Sequence, residues 1–266
     1  MKLTKKILLP LILSLFMNPT FANTDNFQKL QKIAQQGHAG AQYALGSMYD
    51  NGEGITKNYA KAFEWYSKAA IQGHAGAQHD LGMMYAYGEG IAKNDVKAFE
   101  WYSKAAVQGE AFAQYNLGRM YETGQGVTKS YAKAFEWYSK AALQGLAPAQ
   151  HNLGLMYVYG QGVSQNYTKA FEWLSKAAAQ EHAGAQYDLG SMYANGHGIA
   201  QSTALSNKWY LKAANNGNAM AQFNIGKKYL NGDNGLPKNR GQALNWLKKA
   251  SNNGHTEAKL MLARLQ

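Results

Sequence analysis

Apolar residues recur at helical spacing along nearly the whole chain. Ala41, Leu45 and Met48 are spaced i, i+4, i+7, and Ala62, Trp65, Tyr66 and Ala69 follow i, i+3, i+4, i+7. Each set is the apolar stripe of an amphipathic helix. A glycine turn, Gly52-Glu53-Gly54-Ile55, separates the two, and Gln72-Gly73 follows the second. The helix–turn–helix phrase then recurs. Trp65, Trp101, Trp137, Trp173, Trp209 and Trp246 mark it at intervals of 36, 36, 36, 36 and 37 residues, the extra residue lying in Asn231-Gly-Asp-Asn-Gly235. A fixed period of roughly 20–50 residues is the mark of stacked supersecondary units. Such stacks build long surfaces rather than deep catalytic pockets.

The local signals divide the chain at matching places in every unit. The second helix is preceded by Asn58, Asn94, Ser130, Asn166, Ser202 or Asn239, all good N-cap residues. It ends at Gly73, Gly109, Gly145, Gly217 or Gly254, the left-handed position after a helix. Glu181 breaks that series and is expected to strain its junction. The pattern predicts six helix pairs within residues 38–255: about 38–73, 74–109, 110–145, 146–181, 182–217 and 218–254. Residues 23–37, with Phe27, Ile33 and Ala34, read as an N-terminal capping helix. Residues 256–266, with Ala258, Leu262 and Leu265, read as a C-terminal one. Gly46, Gly82, Gly118, Gly154, Gly190 and Gly226 fall inside first helices. A glycine there costs about 1 kcal/mol, so its recurrence points to close approach of a neighbouring helix. The tryptophans are expected to fill the space between consecutive units, where Trp→Ala would cost roughly 3–5 kcal/mol.

The first 22 residues differ from the rest. Lys2, Lys5 and Lys6 precede an apolar run from Ile7 to Phe16, and Thr20-Phe21-Ala22 offers small residues for cleavage. That is the pattern of a secretory signal peptide, cut near Ala22. A membrane anchor needs ~20 apolar residues. The run is shorter and contains Pro10, so no stable membrane insertion is expected after cleavage, and the localisation read is periplasmic or secreted. The chain has no cysteine, which removes disulfides, thiol catalysis and thiolate metal sites. Net charge is +11, and its distribution is uneven. Residues 23–200 hold 14 basic and 14 acidic residues, whereas 201–266 hold 10 basic and two acidic. Lys208, Lys212, Lys228, Lys238, Arg240, Lys248 and Lys249 form the core of that basic end. They suggest an anionic envelope component as an alternative partner there. Aromatic residues are seldom interleaved with these cations outside scaffold positions, so nucleic acid is not expected.

The phrase Ala-Gln-x-x-Leu-Gly-x-Met-Tyr, then Gly-x-Gly-Ile/Val, then Lys-Ala-x-x-Trp-Tyr-x-Lys-Ala-Ala resembles the Sel-1-like repeat family, relatives of tetratricopeptide repeats with a longer turn between helices. The resemblance covers essentially all of residues 25–266. It implies an all-α fold: an α/α right-handed superhelical solenoid of six repeats with terminal half-repeat capping helices, used for protein–protein interaction, often as a scaffold or regulator of signalling and envelope processes. Some bacterial members are cysteine-rich and described as penicillin-binding. The absence of cysteine departs from that branch, and with it from a β-lactam- or peptidoglycan-directed hydrolase.

Positions alike in every unit serve the shared scaffold, and positions that differ are free for recognition. On the first helix the differing columns are Ser47, Met83, Arg119, Leu155, Ser191, Lys227 and Asp50, Ala86, Glu122, Val158, Ala194, Leu230. Beside them run Tyr43, His79, Tyr115, His151, Tyr187, Phe223 and Ala44, Asp80, Asn116, Asn152, Asp188, Asn224. Helical spacing puts these opposite the apolar stripe, expected to be the concave face. Rings and Asn/Asp side chains suit a peptide or protein segment, an unidentified protein partner. The alternative is that the ring column is packing between adjacent first helices.

Other motifs read as scaffold. Glu64–Lys68, Glu100–Lys104, Glu136–Lys140 and Glu172–Lys176 are i, i+4 pairs, worth about 0.3–0.5 kcal/mol each. Ser130-Tyr-Ala-Lys133 matches S-x-x-K, but its counterparts Asn58-Tyr-Ala-Lys61 and Asn166-Tyr-Thr-Lys169 make it an N-cap. His38, His74, His182 and His255 recur at helix starts and are expected to be exposed; Asp233 is a lone loop acid. No catalytic triad, metal cluster or cofactor motif is found, and the expected class is a non-enzymatic scaffold.

Overall fold

The computed structural model describes residues 24–232 and 235–265. The predicted signal segment 1–22 and Asp233 lie outside the described residues. Every regular element described is an α-helix: α1 Thr24–Gln35, α2 Ala39–Asn51, α3 Tyr59–Ile71, α4 Ala75–Tyr87, α5 Asp95–Val107, α6 Ala111–Thr123, α7 Tyr131–Leu143, α8 Ala147–Tyr159, α9 Tyr167–Ala179, α10 Ala183–Asn195, α11 Thr203–Asn215, α12 Ala219–Asn231, α13 Arg240–Asn252 and α14 Thr256–Leu265. The chain divides into two compact units, residues 1–129 and 130–266. In the first, α1 to α6 each pack on the next helix in order; in the second, α7 to α14 do the same. Each unit is therefore a solenoid of consecutive helix pairs.

Caps set the helix starts. The side chain of Asn58 accepts the Lys61 backbone N–H at 3.0 Å, and Asn94, Ser130, Asn166, Ser202 and Asn239 do likewise for their own helices. Of the histidines before first helices, His38 is exposed, as expected, and makes no capping bond, whereas His74, His182 and His255 are half-buried caps. Nδ1 of His74, His182 and His255 accepts a backbone N–H at 3.2 Å. At the other end, Glu181 takes a left-handed φ of 61°, while its counterparts, such as Gly73 and Gly109, are glycine. A side chain in that conformation costs roughly 1–2 kcal/mol.

The interior differs from expectation in its choice of ring. Trp65, Trp101, Trp137, Trp173 and Trp209 are only half-buried, and Trp246 alone is buried among the six. The residue after each tryptophan does the wedging: Tyr66, Tyr102, Tyr138, Leu174, Tyr210 and Leu247 are all buried. A Cβ added to Gly82 would lie 2.7 Å from the Tyr102 ring, and one on Gly154 would lie 2.7 Å from Leu174. The helix glycine thus makes room for the second helix of its own pair. The indoles lie at the edge of the stripe, where Trp65 still packs on a cluster containing Leu30, Leu45 and Met48. Their outer faces carry lysines three residues on: Lys68, Lys104, Lys140 and Lys176 put the ammonium 3.9–4.1 Å from the ring centroid. These lysines were expected to serve Glu64, Glu100, Glu136 and Glu172. Here the ring face competes with a solvated carboxylate for the ammonium, and a cation–π contact is worth about as much as an exposed ion pair.

A buried amide joins each repeat to the one before. Gln42, Gln78, Gln150, Gln186 and Gln222 are 2–5 % exposed. Each donates to the carbonyl eight residues back, as Gln78 does to Ala70 at 3.0 Å. Each also accepts an amide N–H from Gln72, Gln108, Gln180, Asn216 or Asn253 in turn. The carbonyls sit on the last turn of the preceding helix, which has no intrahelical donor for them. The second glycine of the turn completes the joint: a Cβ on Gly90, at φ 72°, would lie 2.5 Å from the Tyr59 carbonyl oxygen.

Candidate functional site

The first-helix columns lie next to this scaffold, and much of their polarity is spent between repeats. In the first unit burial pushes the Tyr43 phenol up to about 12, with the nearby Asp80 adding to the rise. Asp80 Oδ1 lies 2.8 Å from His79 Nδ1, and His79 Nε2 lies 3.2 Å from Asn116 Nδ2. The arrangement fits an imidazole carrying its proton on Nδ1, with Asn116 donating to Nε2. In the second unit His151 Nε2 meets Asp188 Oδ2 at 2.6 Å, and Asn224 Nδ2 donates to the Tyr187 hydroxyl at 3.5 Å. In these three pairs the ring of one repeat bonds the Asp or Asn of the next.

The rings also stack on neighbouring caps. Tyr43 stacks on His74 at 4.5 Å and His151 lies 4.6 Å from His182. Burial lowers the pKa of both His74 and His182; near His182 the His151 ring lowers it further, while Asp188 opposes. Phe223 is buried and stacks on His255 at 4.2 Å, with the Lys227 ammonium 5.3 Å from its ring. Tyr115, Asn152 and the other ladder residues are half-buried.

The remaining column faces outward more freely. Arg119 and Lys227 are exposed, and Ser47, Met83, Leu155 and Ser191 are half-buried. These residues differ in size and charge from repeat to repeat while ring and Asp or Asn recur at the same helix positions beneath them. Rigid placement of unlike side chains suits recognition of an irregular surface.

The basic residues are scattered rather than focused. Lys208, Lys212, Lys238, Arg240, Lys248 and Lys249 are exposed. Lys212 and Lys249 lie over Trp209 and Trp246 at 4.7 and 4.4 Å. Arg240 bonds the Leu265 carbonyl. Lys228 Nζ donates to Asn207 Oδ1 at 2.5 Å. Lys208, Lys212, Asn207 and Asn215 line a cleft of about 800 Å³ along α11. Among the described residues, no group of three or more His, Asp or Glu is placed to hold a metal ion, and no helix is long and apolar enough to cross a membrane. Ser130 Oγ accepts the Lys133 backbone N–H at 3.3 Å, the capping role its position gives it.

Sequence reading missed the glutamine joints and the orientation of the ladder. Both had a signal: Gln42 and its counterparts are identical in all six units, as a buried, fully bonded amide requires. The ladder partners alternate His/Tyr with Asp/Asn at a spacing of 37 residues.

Six consecutive segments match the Sel1 repeat: residues 39–74, 75–110, 111–146, 147–182, 183–218 and 219–255. No curated relative matches the chain. Among solved structures it is similar to a Sel1 repeat protein from Oxalobacter formigenes, at 34% identity, with 91% of this chain and 95% of that one covered and a TM-score of 0.84. It is also similar to a protective antigen of uropathogenic Escherichia coli displaying an SLR fold, at 35% identity over 90% of this chain, with a TM-score of 0.80; it spans 51% of that protein's length. An immunity protein from Pseudomonas aeruginosa shares the fold at 23% identity, with 82% of each chain covered and a TM-score of 0.54.

Proposed function

We propose that this chain, which belongs to the Sel1 repeat family, is a non-enzymatic, exported scaffold that holds a protein partner along the first-helix face. Sel1 repeat proteins are generally protein-interaction scaffolds. One observation carries the reading for this chain: ladder residues such as His79 with Asn116 and His151 with Asp188 are bonded to one another, while the outward column changes at every repeat, through Ser47, Met83, Arg119, Leu155, Ser191 and Lys227. The basic, apolar and small-residue order of residues 1–22 supports export to the periplasm or beyond.

Site-specific photo-cross-linking tests the face. A photoreactive residue at Met83 or Leu155 is expected to give one discrete adduct in the exported compartment, and the same probe at Glu64 or Glu136 none. Equal adducts from both faces would overturn the reading. A second reading rests on the cleft beside Lys208 and Lys212: an anionic envelope component bound at the basic end. Its binding should weaken steeply between low and physiological salt, because exposed charges are screened within about 8–10 Å.

A further inference from the structure

Repeat one contains a pairing that repeat two lacks. The Tyr66 hydroxyl donates to Asp50 Oδ2 at 3.3 Å. Repeat two keeps the tyrosine as Tyr102 but replaces its partner Asp50 by Ala86, and the neighbouring Ser47 by Met83. Tyr102 is 3% exposed, and among the described residues none is hydrogen-bonded to its hydroxyl. The phenol oxygen is not sealed off from solvent: it opens on the recess beside Ala86, where a ligand could take the place of its water. Burial raises its pKa well above the ordinary tyrosine value, so the group keeps its proton and remains a donor.

The place of the missing acid is open. Ala86 and Tyr102 line a recess of about 210 Å³. Lys93 and Asp95, also on its wall, pair with each other at 3.6 Å, and Gln125 donates to the same Asp95 oxygen at 3.4 Å. Arg119 is the remaining charge there. It is the single arginine between residues 23 and 200, is exposed, has no acidic partner among the described residues, and its charge acts on the Tyr102 phenol.

We propose that this recess binds the side-chain carboxylate of an acidic segment of the partner, which takes the place that Asp50 fills in repeat one. The Tyr102 hydroxyl and the Arg119 guanidinium are its donors. Hydrogen bonds to an ionised acceptor are the stronger kind, and a fixed guanidinium fork matches a carboxylate. The inference rests on the scaffold reading and names the chemistry that one repeat junction recognises.

The test uses small probes and the full chain. N-acetyl-aspartate N-methylamide is titrated while the Arg119 side-chain N–H signal is followed by NMR. N-acetyl-asparagine N-methylamide and N-acetylglycine serve as controls. A saturable shift is expected with the aspartate probe alone. Arg119→Gln, an exposed change, should weaken binding roughly tenfold or more, and Tyr102→Phe roughly threefold to tenfold. Ala86→Asp should abolish binding by supplying the carboxylate from within. Equal binding of the asparagine probe, or undiminished binding by Ala86→Asp, would overturn the proposal. Equal binding of N-acetylglycine would overturn the side-chain assignment in favour of a chain terminus. If cross-links form at Met83 while no probe binds, this inference fails alone; if neither occurs, the scaffold reading fails with it.

Discussion

The junction between repeats five and six is built differently from the apolar junctions before it. In repeats two to five, a phenylalanine of the preceding second helix meets a tyrosine of the first helix edge-on: Phe63–Tyr85, Phe99–Tyr121, Phe135–Tyr157 and Phe171–Tyr193, with centroids 5.5–5.8 Å apart. Beside each tyrosine a methionine, Met84 to Met192, is buried. At the last junction Phe becomes Asn207, Met becomes Lys228, and the two bond to each other. The core alanine position becomes Ser206, whose buried Oγ has no partner. Two apolar positions have changed together into a donor and an acceptor. For the ammonium and the amide both sides had to change, since a charge there would otherwise lose its water without replacement, while the smaller Ser206 hydroxyl is carried without a partner among the described residues.

That comparison can be broken most directly by moving half of the polar pair. Met156→Lys places an ammonium where the native side chain is 1% exposed, and should cost about 3–5 kcal/mol in urea unfolding. Adding Phe135→Asn should recover roughly 1–2 kcal/mol of that, because the amide oxygen supplies the acceptor. Full additivity in the double-mutant cycle would show that the pairing contributes nothing.

The converse exchange should have a smaller effect of opposite sign. Asn207→Phe with Lys228→Met restores the apolar pair and is expected to raise stability by about 1–2 kcal/mol, whereas either change alone should lower it. Glu181→Gly, at the junction before, should gain about 1 kcal/mol by removing a side chain from φ 61°.

The smallest effect separates the junctions by pH. His74 and His182 cap α4 and α10 through an unprotonated Nδ1, and burial holds both below the ordinary value of 6.5. A histidine depressed in the folded state contributes fully above its unfolded pKa and loses that contribution as pH falls through the folded one. Helices α4 and α10 should therefore lose hydrogen-exchange protection below about pH 6.5, each by up to about 1 kcal/mol. Helix α12, capped by the Asn218 amide, should not. His182→Asn should make α10 behave like α12.

Much of the fold was legible because its determinants are local. Helical periodicity, an N-cap acceptor three residues before its donor and a glycine at the left-handed position are each fixed within one turn of chain. Repetition multiplied that signal six times, which is why the helix pairs, the Asn and Ser caps of the second helices and the strained Glu181 could be read from residues alone. The candidate face was readable to the level of columns for the same reason.

Which member of each column does what was a tertiary matter. Trp65 and Tyr66 are neighbours about 100° apart on one helix, and periodicity cannot choose which of them enters the core. The fit of a planar ring against Gly46 makes that choice, leaving the indole at the edge under Lys68. Likewise, His151 with Asp188, His79 with Asn116 and Asn207 with Lys228 lie a whole repeat or most of one apart in sequence. Their bonds depend on how far one helix is displaced along the next. Sequence determined the helices, the stack and the exchange of Asp50 for Ala86; only the packing of helix on helix decided that this position meets the hydroxyl of Tyr66 or Tyr102.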